Sequence, residues 1–382
     1  MNGVRGAAKG AVLAGLVVSL TWTLAACSGT NVAPDYARGD FRACLLTDPD
    51  VTEPAAAWED AARTGLGGAQ KSLGIATSEV PVYSSVAAAL AAAAASSCAA
   101  MVAIGSESLE PIAQQARLYR ERRYIVLLPE VTSAALAKDP ETAYPQNMQV
   151  INFDYTDAAI MAGYLAAGTS LTGRVAVLAD AADPGAVALV RAFSRGVDYY
   201  NEHRVESDRR IGEVSLTNSV DVPGSVFVDS GDLSAVRDLA LAQVRDGASV
   251  LFAPLPRRAQ LAVLEVVADS APSMSSVPER QSARGVAADA IVANTLIWCG
   301  TDFFAAPGEG PVLTSLYPEV SRAVQDAVAD SSDGEFERRL RVGSLANGGV
   351  SLAPFRAFKS SVPSSLDAGM ATLLARLDSG EF

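Results

Sequence analysis

The sequence predicts an α/β protein with two Rossmann-like lobes, each built on a parallel β-sheet that helices cover on both faces. Short apolar runs typical of buried strands alternate with amphipathic helical segments through the first half of the chain. The same alternation then starts a second time. The 382 residues suffice for two domains of ordinary size, even without their first 26.

The first 26 residues have the parts of a secretory signal. Arg5 and Lys9 make a positively charged start, and residues 11–23 form an apolar core too short for a membrane-spanning helix. The following Leu24-Ala25-Ala26-Cys27 is similar to a bacterial lipobox, in which the Cys thiol receives a lipid before a peptidase cuts in front of it. An ordinary signal peptide followed by a chance Cys is the alternative.

The lipobox implies a lipoprotein signal over residues 1–26, a lipid such as palmitate on Cys27, and a polar tether over residues 27–38. We therefore expect the rest of the chain to be held at the extracytoplasmic face of the cell membrane.

Strands and helices can be placed along both halves of the chain. Strands are expected at 42–47, 80–83, 100–104 and 124–128, with helices at 54–73, 85–95 and 110–121. The second series has strands at 174–179, 226–228, 249–252 and 297–300, with helices at 184–201, 234–245 and 257–268. Two such lobes imply a cleft lined by the loops at the carboxyl ends of the strands.

Charge and cysteine content exclude several classes of function. The formal net charge of −13 argues against a nucleic-acid partner. The chain has no CxxC motif or Cys/His cluster, so we expect no metal site and no cofactor. His203 is the only histidine and follows a predicted helix among charged residues, which argues against Ser-His-Asp or Cys-His catalysis. We therefore expect no enzyme.

Two cysteines lie near the start of predicted strands. Cys44 lies in the first part of the apolar run 41–47, and Cys98 stands just before the run 101–105. If these runs are neighbouring parallel strands, a Cys44–Cys98 disulfide becomes feasible in an exported protein. Two buried free thiols are the alternative. Cys299 is expected in the core, as is Trp58 on its helix.

Several segments, taken in order along the chain, resemble the motifs of one known protein family. Residues 152–157 and 161–167 are similar to a segment in which Phe and acidic residues precede a "YLAG" helix. Residues 172–178 and 184–197 are similar to "TGKVGFVGG…P…F..GF..GV". Later segments resemble "GVD", "VLTS" and "GGV", at 300–302, 312–315 and 347–350. The set resembles the basic membrane protein family of lipoproteins, the nucleoside-type solute-binding proteins of ABC importers.

That resemblance implies the type I periplasmic-binding fold, with a hinge between its lobes. Lobe 1 is expected over residues 39–150 plus about 311–346. Lobe 2 is expected over residues 151–310 plus about 347–382. The expected partners are a small-molecule solute, such as a nucleoside, and an ABC permease, and the protein is expected to be a monomer.

The first loop departs from the family pattern. Where the family has "DDKSFNQSAWEG", this chain, anchored on Trp58, has Glu53 and Pro54 at the positions of the aromatic and the Asn. An aromatic stacks on a base and an amide pairs with a base edge, and neither replacement does so in the same way. A second hypothesis is therefore the same fold with a degenerate cleft, acting as a surface sensor or interaction protein. An envelope hydrolase is a third, weaker one.

Candidate ligand-binding residues follow the predicted strands. Asp302 matches the family Asp that accepts hydrogen bonds from a ribose hydroxyl, although a solvated or helix-capping Asp would look the same. Asp48, Asp50 and Asp157 could likewise bind the solute or cap a helix. Glu53 could face the cleft or offset a helix dipole. An aromatic beside Asp302 could stack on a ring or pack in the hinge. The predicted set is Asp48, Asp50, Glu53, Ser106, Asp157, Asp302 and Phe304.

Overall fold

The computed structural model describes residues 40–51, 55–129, 144–204, 213–221, 224–270, 281–282, 293–303, 310–337 and 340–382.

The first series of elements follows the predicted alternation. Its strands and helices are β1 (Arg42–Thr47), α1 (Ala55–Leu73), β2 (Ala76–Pro81), α2 (Val86–Ala95), β3 (Ala100–Ile104), α3 (Leu109–Leu118), β4 (Arg123–Leu128) and β5 (Met148–Phe153). The expected bounds of β1 and β3 are confirmed at both ends. α2 begins after Ser85, whose side chain caps it by accepting a hydrogen bond from the backbone N–H of Ala88.

The second series runs through the middle of the chain. Its elements are α4 (Thr156–Thr169), β6 (Arg174–Val177), β7 (Ala179–Asp180), α5 (Ala186–His203), β8 (Ser215–Leu216), β9 (Phe227–Val228), α6 (Leu233–Arg245), β10 (Val250–Phe252), α7 (Arg257–Asp269) and β11 (Thr295–Cys299). The last elements are β12 (Val312–Pro318), α8 (Val320–Ser332), β13 (Leu340–Gly343), β14 (Val350–Leu352) and α9 (Ser364–Ser379).

These strands form two six-stranded sheets, which confirms the predicted α/β class. The first sheet has the order β13-β5-β4-β3-β1-β2 and is parallel throughout. The second has the order β14-β12-β11-β10-β6-β8 and is parallel except for β14, which runs antiparallel to β12 at the edge. β7 and β9 form a separate parallel pair.

Between the described strands, the chain passes from one sheet to the other three times. It leaves the first sheet after β5, returns after β12 through α8, and leaves again after β13. Sheet membership therefore differs from the expected lobe boundaries. β12 belongs to the second sheet although 311–346 was expected in lobe 1, and β5 keeps residues 151–153 in the first sheet. The hinge consists of the segments that join these strands.

Both sheets are covered on two faces, which explains their continuous apolar strands. Along β1, Ala43 and Leu45 pack into one apolar cluster, whereas Cys44 and Leu46 pack into another. β6 behaves in the same way, with Val175 and Val177 on one side and Ala176 on the other. Successive side chains of a strand point to opposite faces, so a sheet buried on both sides needs an apolar residue at nearly every position.

A disulfide ties β1 to the segment that precedes β3. Cys44 and Cys98 are bonded, and their Cα atoms lie 5.9 Å apart. β1 and β3 are parallel neighbours in which Ala43 pairs with Ala100, so Cys98, two residues before β3, comes close to Cys44 of β1. The sequence leaves a disulfide and two buried free thiols open, and the structure contains the disulfide. Cys299 is a buried free thiol, and burial raises its pKa.

Glycines allow the helices of each lobe to pack in pairs. A Cβ at Gly163 of α4 would overlap the carbonyl oxygen of Phe193 of α5, and a Cβ at Gly196 would overlap the carbonyl oxygen of Ile160. Gly65 of α1 meets the backbone of α8 in the same way in lobe 1. The "YLAG"-like and "GV"-like segments therefore carry residues needed for helix packing.

The packing predicts opposite effects of two Gly-to-Ala substitutions. Gly163→Ala should destabilise the protein by roughly 1–3 kcal/mol, because the added methyl forces α4 and α5 apart. Gly67→Ala in α1 should stabilise it by up to about 1 kcal/mol, because a Cβ there meets no atom within 4 Å and alanine favours a helix. Urea unfolding of both variants measures the difference, and equal midpoints would contradict the proposed helix contact.

Candidate functional site

The carboxyl ends of the two sheets meet at a hydrogen bond between the lobes. Trp58 lies in the first turn of α1, just after the loop that follows β1, and its indole Nε1 donates to the carbonyl oxygen of Gly300 at 2.9 Å. Gly300 directly follows β11 and has a φ of +98°, a conformation that favours glycine. The strand-end edges of both sheets therefore face the same region, as a cleft between two lobes requires.

The contact corrects the expectation for Trp58. Its side chain is only partly buried, and it packs against the main apolar cluster while its N–H reaches the other lobe. The ring has this double role because it sits at the amino end of α1, where the helix leaves the core and meets the interlobe region. An indole suits such a position, since its body is apolar and its single donor needs a partner.

A buried carboxylate, Glu59, supports the loop after β1. Its Oε1 accepts a hydrogen bond from the backbone N–H of Asp48 at 2.8 Å. Burial raises the pKa of Glu59, and the Asp48 hydrogen bond and the nearby Arg63 charge partly offset that rise. The sequence carried one signal for this role, because Trp58-Glu59 aligns with the family's "WEG".

Asp48 and Asp50 lie on the lobe 1 side of this region, and both are exposed. The Asp48 carboxylate accepts from the backbone N–H of Asp50 at 2.9 Å, and its carbonyl accepts from the N–H of Val51 at 3.1 Å. Asp48 therefore shapes the turn, and its carboxylate stays at the protein surface, where a solute can reach it.

Asp302 lies on the lobe 2 side, two residues beyond Gly300. Its Oδ2 accepts a hydrogen bond from the guanidinium of Arg356 at 3.0 Å. The Asp302 and Arg356 side chains are 21% and 40% exposed, so the pair is accessible to solvent. Arg356 has a φ of +46°, an uncommon conformation for a residue with a side chain. The site thus includes a cation that the sequence did not indicate.

A second polar group lies beside this ion pair. Glu319 accepts a hydrogen bond from the Ser351 hydroxyl at 2.6 Å, across the β12–β14 edge. Burial raises the pKa of Tyr317, and the carboxylates of Glu319 and Asp302 add to the rise. These residues lie at the point where the chain passes back to lobe 1, so they connect the Asp302 region to the hinge.

Ser106 and Asp157 have different surroundings. Ser106 follows β3 in a short 3₁₀ turn, after Gly105 with a φ of +94°, and is partly buried. Asp157 lies in the first turn of α4, where burial raises its pKa, the charges of Asp154 and Asp378 raise it further, and the Arg195 charge lowers it.

Asp157 therefore lies within electrostatic reach of Asp378 on α9, and its role as a ligand-binding residue stays a prediction. Glu53, Phe304 and Cys27 lie outside the described residues.

The interlobe region unites some of the predicted residues and adds others. The Asp48 N–H bonds to Glu59, and the neighbouring Trp58 bonds to Gly300. Asp302 lies two residues beyond Gly300. The additions are Trp58, Glu59 and Arg356. Within the described ranges, no group of three or more His, Cys, Asp or Glu residues is placed to hold a metal ion. No helix in the described part of the chain is long and apolar enough to cross a membrane.

Comparison with known proteins supports the fold. The sequence matches no protein-family model and no curated protein. Among solved structures, it is similar to an ABC transporter system solute-binding protein from Conexibacter woesei DSM 14684, with a TM-score of 0.61 and 18% identity, covering 90% of this chain and 97% of the other. The chain has the type I periplasmic-binding fold.

Two further structures share this type I periplasmic-binding fold. One is an ABC transporter system solute-binding protein from Aeropyrum pernix K1, with a TM-score of 0.58 and 17% identity over 89% of this chain and 92% of the other. The other is described as a transcriptional activator of the comK gene from Bacillus halodurans, with a TM-score of 0.60 and 16% identity over 88% and 97%. The predicted fold is confirmed, and membership of the basic membrane protein family stays a prediction.

Proposed function

We propose that this protein is a lipid-anchored, extracytoplasmic solute-binding protein that captures a small polar solute for an ABC importer. The observation that carries the proposal is the Trp58–Gly300 hydrogen bond, because it joins the strand-end edges of the two sheets. Two of the similar structures are described as ABC transporter solute-binding proteins, which favours the same role here. No catalytic step is proposed.

Binding would work by closure of the lobes about the three segments that connect the two sheets, after β5, β12 and β13. The donor of the bridging hydrogen bond belongs to lobe 1 and its acceptor to lobe 2, so the bond forms only when the lobes approach. A solute in the cleft contacts both lobes in the closed state and one lobe in the open state. That difference in contacts is what shifts the population toward closure.

The accessible side chains favour a solute rich in hydrogen-bond donors. Asp48 and Asp50 present carboxylates from lobe 1, and Asp302 presents one from lobe 2 beside the Arg356 guanidinium. Carboxylates accept hydrogen bonds from hydroxyl and amino groups and form strong bonds with them. A nucleoside has such groups on its sugar and base, and the family resemblance favours it as the solute.

A second function is favoured by the same two contacts. The Trp58 indole crosses the interlobe region, and Arg356 engages the carboxylate expected to bind the solute. A cleft held shut in this way would suit a surface sensor or interaction protein that uses the fold without transport. One of the similar structures is described as a transcriptional activator, so proteins of this fold have roles outside transport.

A ligand screen separates these functions. The mature chain carrying Cys27→Ser should gain several degrees of thermal stability with a nucleoside, base or sugar that it binds, because a ligand specific for the native state stabilises it by mass action. Asp302→Ala should then weaken binding by roughly 1–3 kcal/mol, because a donor of the solute loses its partner.

Asp221→Ala, at an exposed loop position, serves as the matched control and should leave binding unchanged. A thermal midpoint that no solute raises would contradict the transport role and favour the sensor. Solute binding that Asp302→Ala leaves intact would remove Asp302 from the site.

Membrane anchoring has its own test. Cys27→Ser should move the protein from the membrane fraction to the soluble fraction. The substitution removes the thiol that carries the lipid, and the lipid's acyl chains supply the affinity for the membrane. Ser28→Ala, one residue further along, should leave the protein in the membrane fraction. Membrane association that survives Cys27→Ser would contradict lipid attachment at this residue.

A further inference from the structure

Tyr83 is an exposed aromatic residue at the strand-end edge of lobe 1. It follows β2, two residues beyond Pro81 at the end of that strand, and it is 81% exposed. Among the large apolar side chains that the structure describes, none is more exposed. A single exposed ring is common on protein surfaces, so the surroundings of Tyr83 decide what it can do.

Backbone hydrogen bonds place Tyr83 beside the acidic turn that follows β1. β1 and β2 are parallel neighbours, and their ladder continues past β2, where the Val82 N–H donates to the Thr47 carbonyl oxygen at 2.7 Å. The backbone at Tyr83 therefore lies about one strand spacing, roughly 5 Å, from the turn that begins at Asp48. The side chains of Asp48 and Asp50 in that turn are also exposed.

The alternation of side chains along β2 directs Tyr83 toward α1. Val80 and Val82 pack into the apolar cluster on the face of the sheet that α2 and α3 cover. Glu79 points to the other face, where its Oε1 lies 2.8 Å from the Nε of Arg63 on α1. Successive side chains point to opposite faces, so Tyr83, four residues after Glu79, belongs to the α1 face.

The dimensions of β2 and α1 bring Tyr83 level with the start of the helix. α1 leads from the end of β1 to the start of the parallel strand β2, so it runs opposite to β2. From Glu79 to Tyr83 a strand advances about 13 Å, and from Arg63 back to Ala56 a helix advances about 10 Å. Ala56 and Arg63 share a helix face, because they are seven residues apart. Tyr83 thus reaches the level at which the first loop enters α1.

The first loop has no aromatic side chain of its own. Residues 48–54 contain no Phe, Tyr or Trp. The Trp58 ring packs against the main apolar cluster, and its N–H bonds to Gly300. Tyr119, the other exposed tyrosine in the described ranges, follows α3 and lies at the amino-end edge of the sheet. Tyr83 is therefore the exposed tyrosine that shares the strand-end edge with the carboxylates.

We infer that Tyr83 selects a solute with a flat ring, by stacking on that ring while the carboxylates of Asp48 and Asp50 accept hydrogen bonds from its hydroxyl or amino groups. The combination fits a nucleoside better than a free sugar, because only the nucleoside has an aromatic base. Stacking of a base on an aromatic side chain changes affinity roughly five- to 150-fold. The inference rests on the proposed solute-binding function.

The test compares nucleosides with ribose, their base-free match, on the mature chain carrying Cys27→Ser. Ligand-observed NMR titration gives the Kd of adenosine, guanosine, cytidine, uridine and ribose. We expect at least one nucleoside to bind more tightly than ribose. Tyr83→Ala should weaken that binding at least fivefold, because the base loses its stacking partner, and should leave ribose binding unchanged.

Three further variants separate stacking from other effects. Tyr83→Phe and Tyr83→Trp keep an aromatic face and should hold the Kd of the bound nucleoside within about twofold of its starting value. Tyr119→Ala removes an exposed ring from the opposite edge of the sheet and should not change it. Because the Tyr83 side chain is so exposed, Tyr83→Ala should also keep the thermal midpoint of the starting protein.

The outcomes distinguish failure of this inference from failure of the transport role. Nucleoside binding that Tyr83→Ala leaves intact would overturn the inference and leave the transport role standing, as would binding of ribose without any of the four nucleosides. Loss of nucleoside binding in Tyr83→Phe as well as in Tyr83→Ala would overturn it by assigning the effect to the hydroxyl group. Absence of binding by all five compounds would overturn it too, and the wider ligand screen then decides the transport role.

Discussion

One neutral hydrogen bond, from the Trp58 indole to the Gly300 carbonyl oxygen, joins the strand-end edges of the two lobes, and an apolar cluster with members from both sheets adds to the contact between them. Such a bond contributes a net stability of only about 0.5–1.5 kcal/mol, because both groups can bond to water when the lobes separate. That free energy corresponds to a population ratio of roughly 2 to 13, from the value of RT. The bond therefore favours the closed arrangement without locking it. A solute that touches both lobes can supply the rest.

The rigidity of each lobe is what allows so small a free energy to matter. Both sheets are buried on two faces, and a disulfide joins β1 to the chain before β3. Glycines bring α4 against α5 and α1 against α8 at backbone contact distance. Packed interiors of this kind deform little, so movement concentrates where few residues connect the units. The three crossings after β5, β12 and β13 are those connections.

Much of the fold was predictable because strand burial leaves a strong signal in the sequence. β1 and β3 were placed at both ends, since each is a continuous apolar run bounded by polar or small residues. β5 is not predicted, because Gln149 and Asn152 interrupt its apolar run. The segment of β12 is expected in lobe 1, but the strand belongs to the second sheet. Sheet membership depends on pairing between distant strands, which no local pattern encodes.

The site was predictable only in part, for a related reason. Asp48 and Asp302 follow strands whose ends could be placed, so their common region follows from the topology. Arg356 lies 54 residues beyond Asp302 and pairs with it only through tertiary structure. Trp58 was assigned to the core because a helical aromatic usually packs inward, and nothing in the sequence indicates that its N–H faces the other lobe. Burial of Glu59 likewise depends on how α1 packs on the sheet.

The most direct test measures the distance between the lobes. Fluorescent labels at Glu110→Cys on α3 and Arg245→Cys on α6, in the Cys27→Ser background, report that distance by single-molecule energy transfer, since both positions are exposed and Cys299 is buried. Trp58→Phe keeps an aromatic ring but removes the donor. The account predicts a longer mean distance in Trp58→Phe, and a shift toward the short-distance state when a bound solute is added. A distance distribution that neither the substitution nor any solute changes would contradict it.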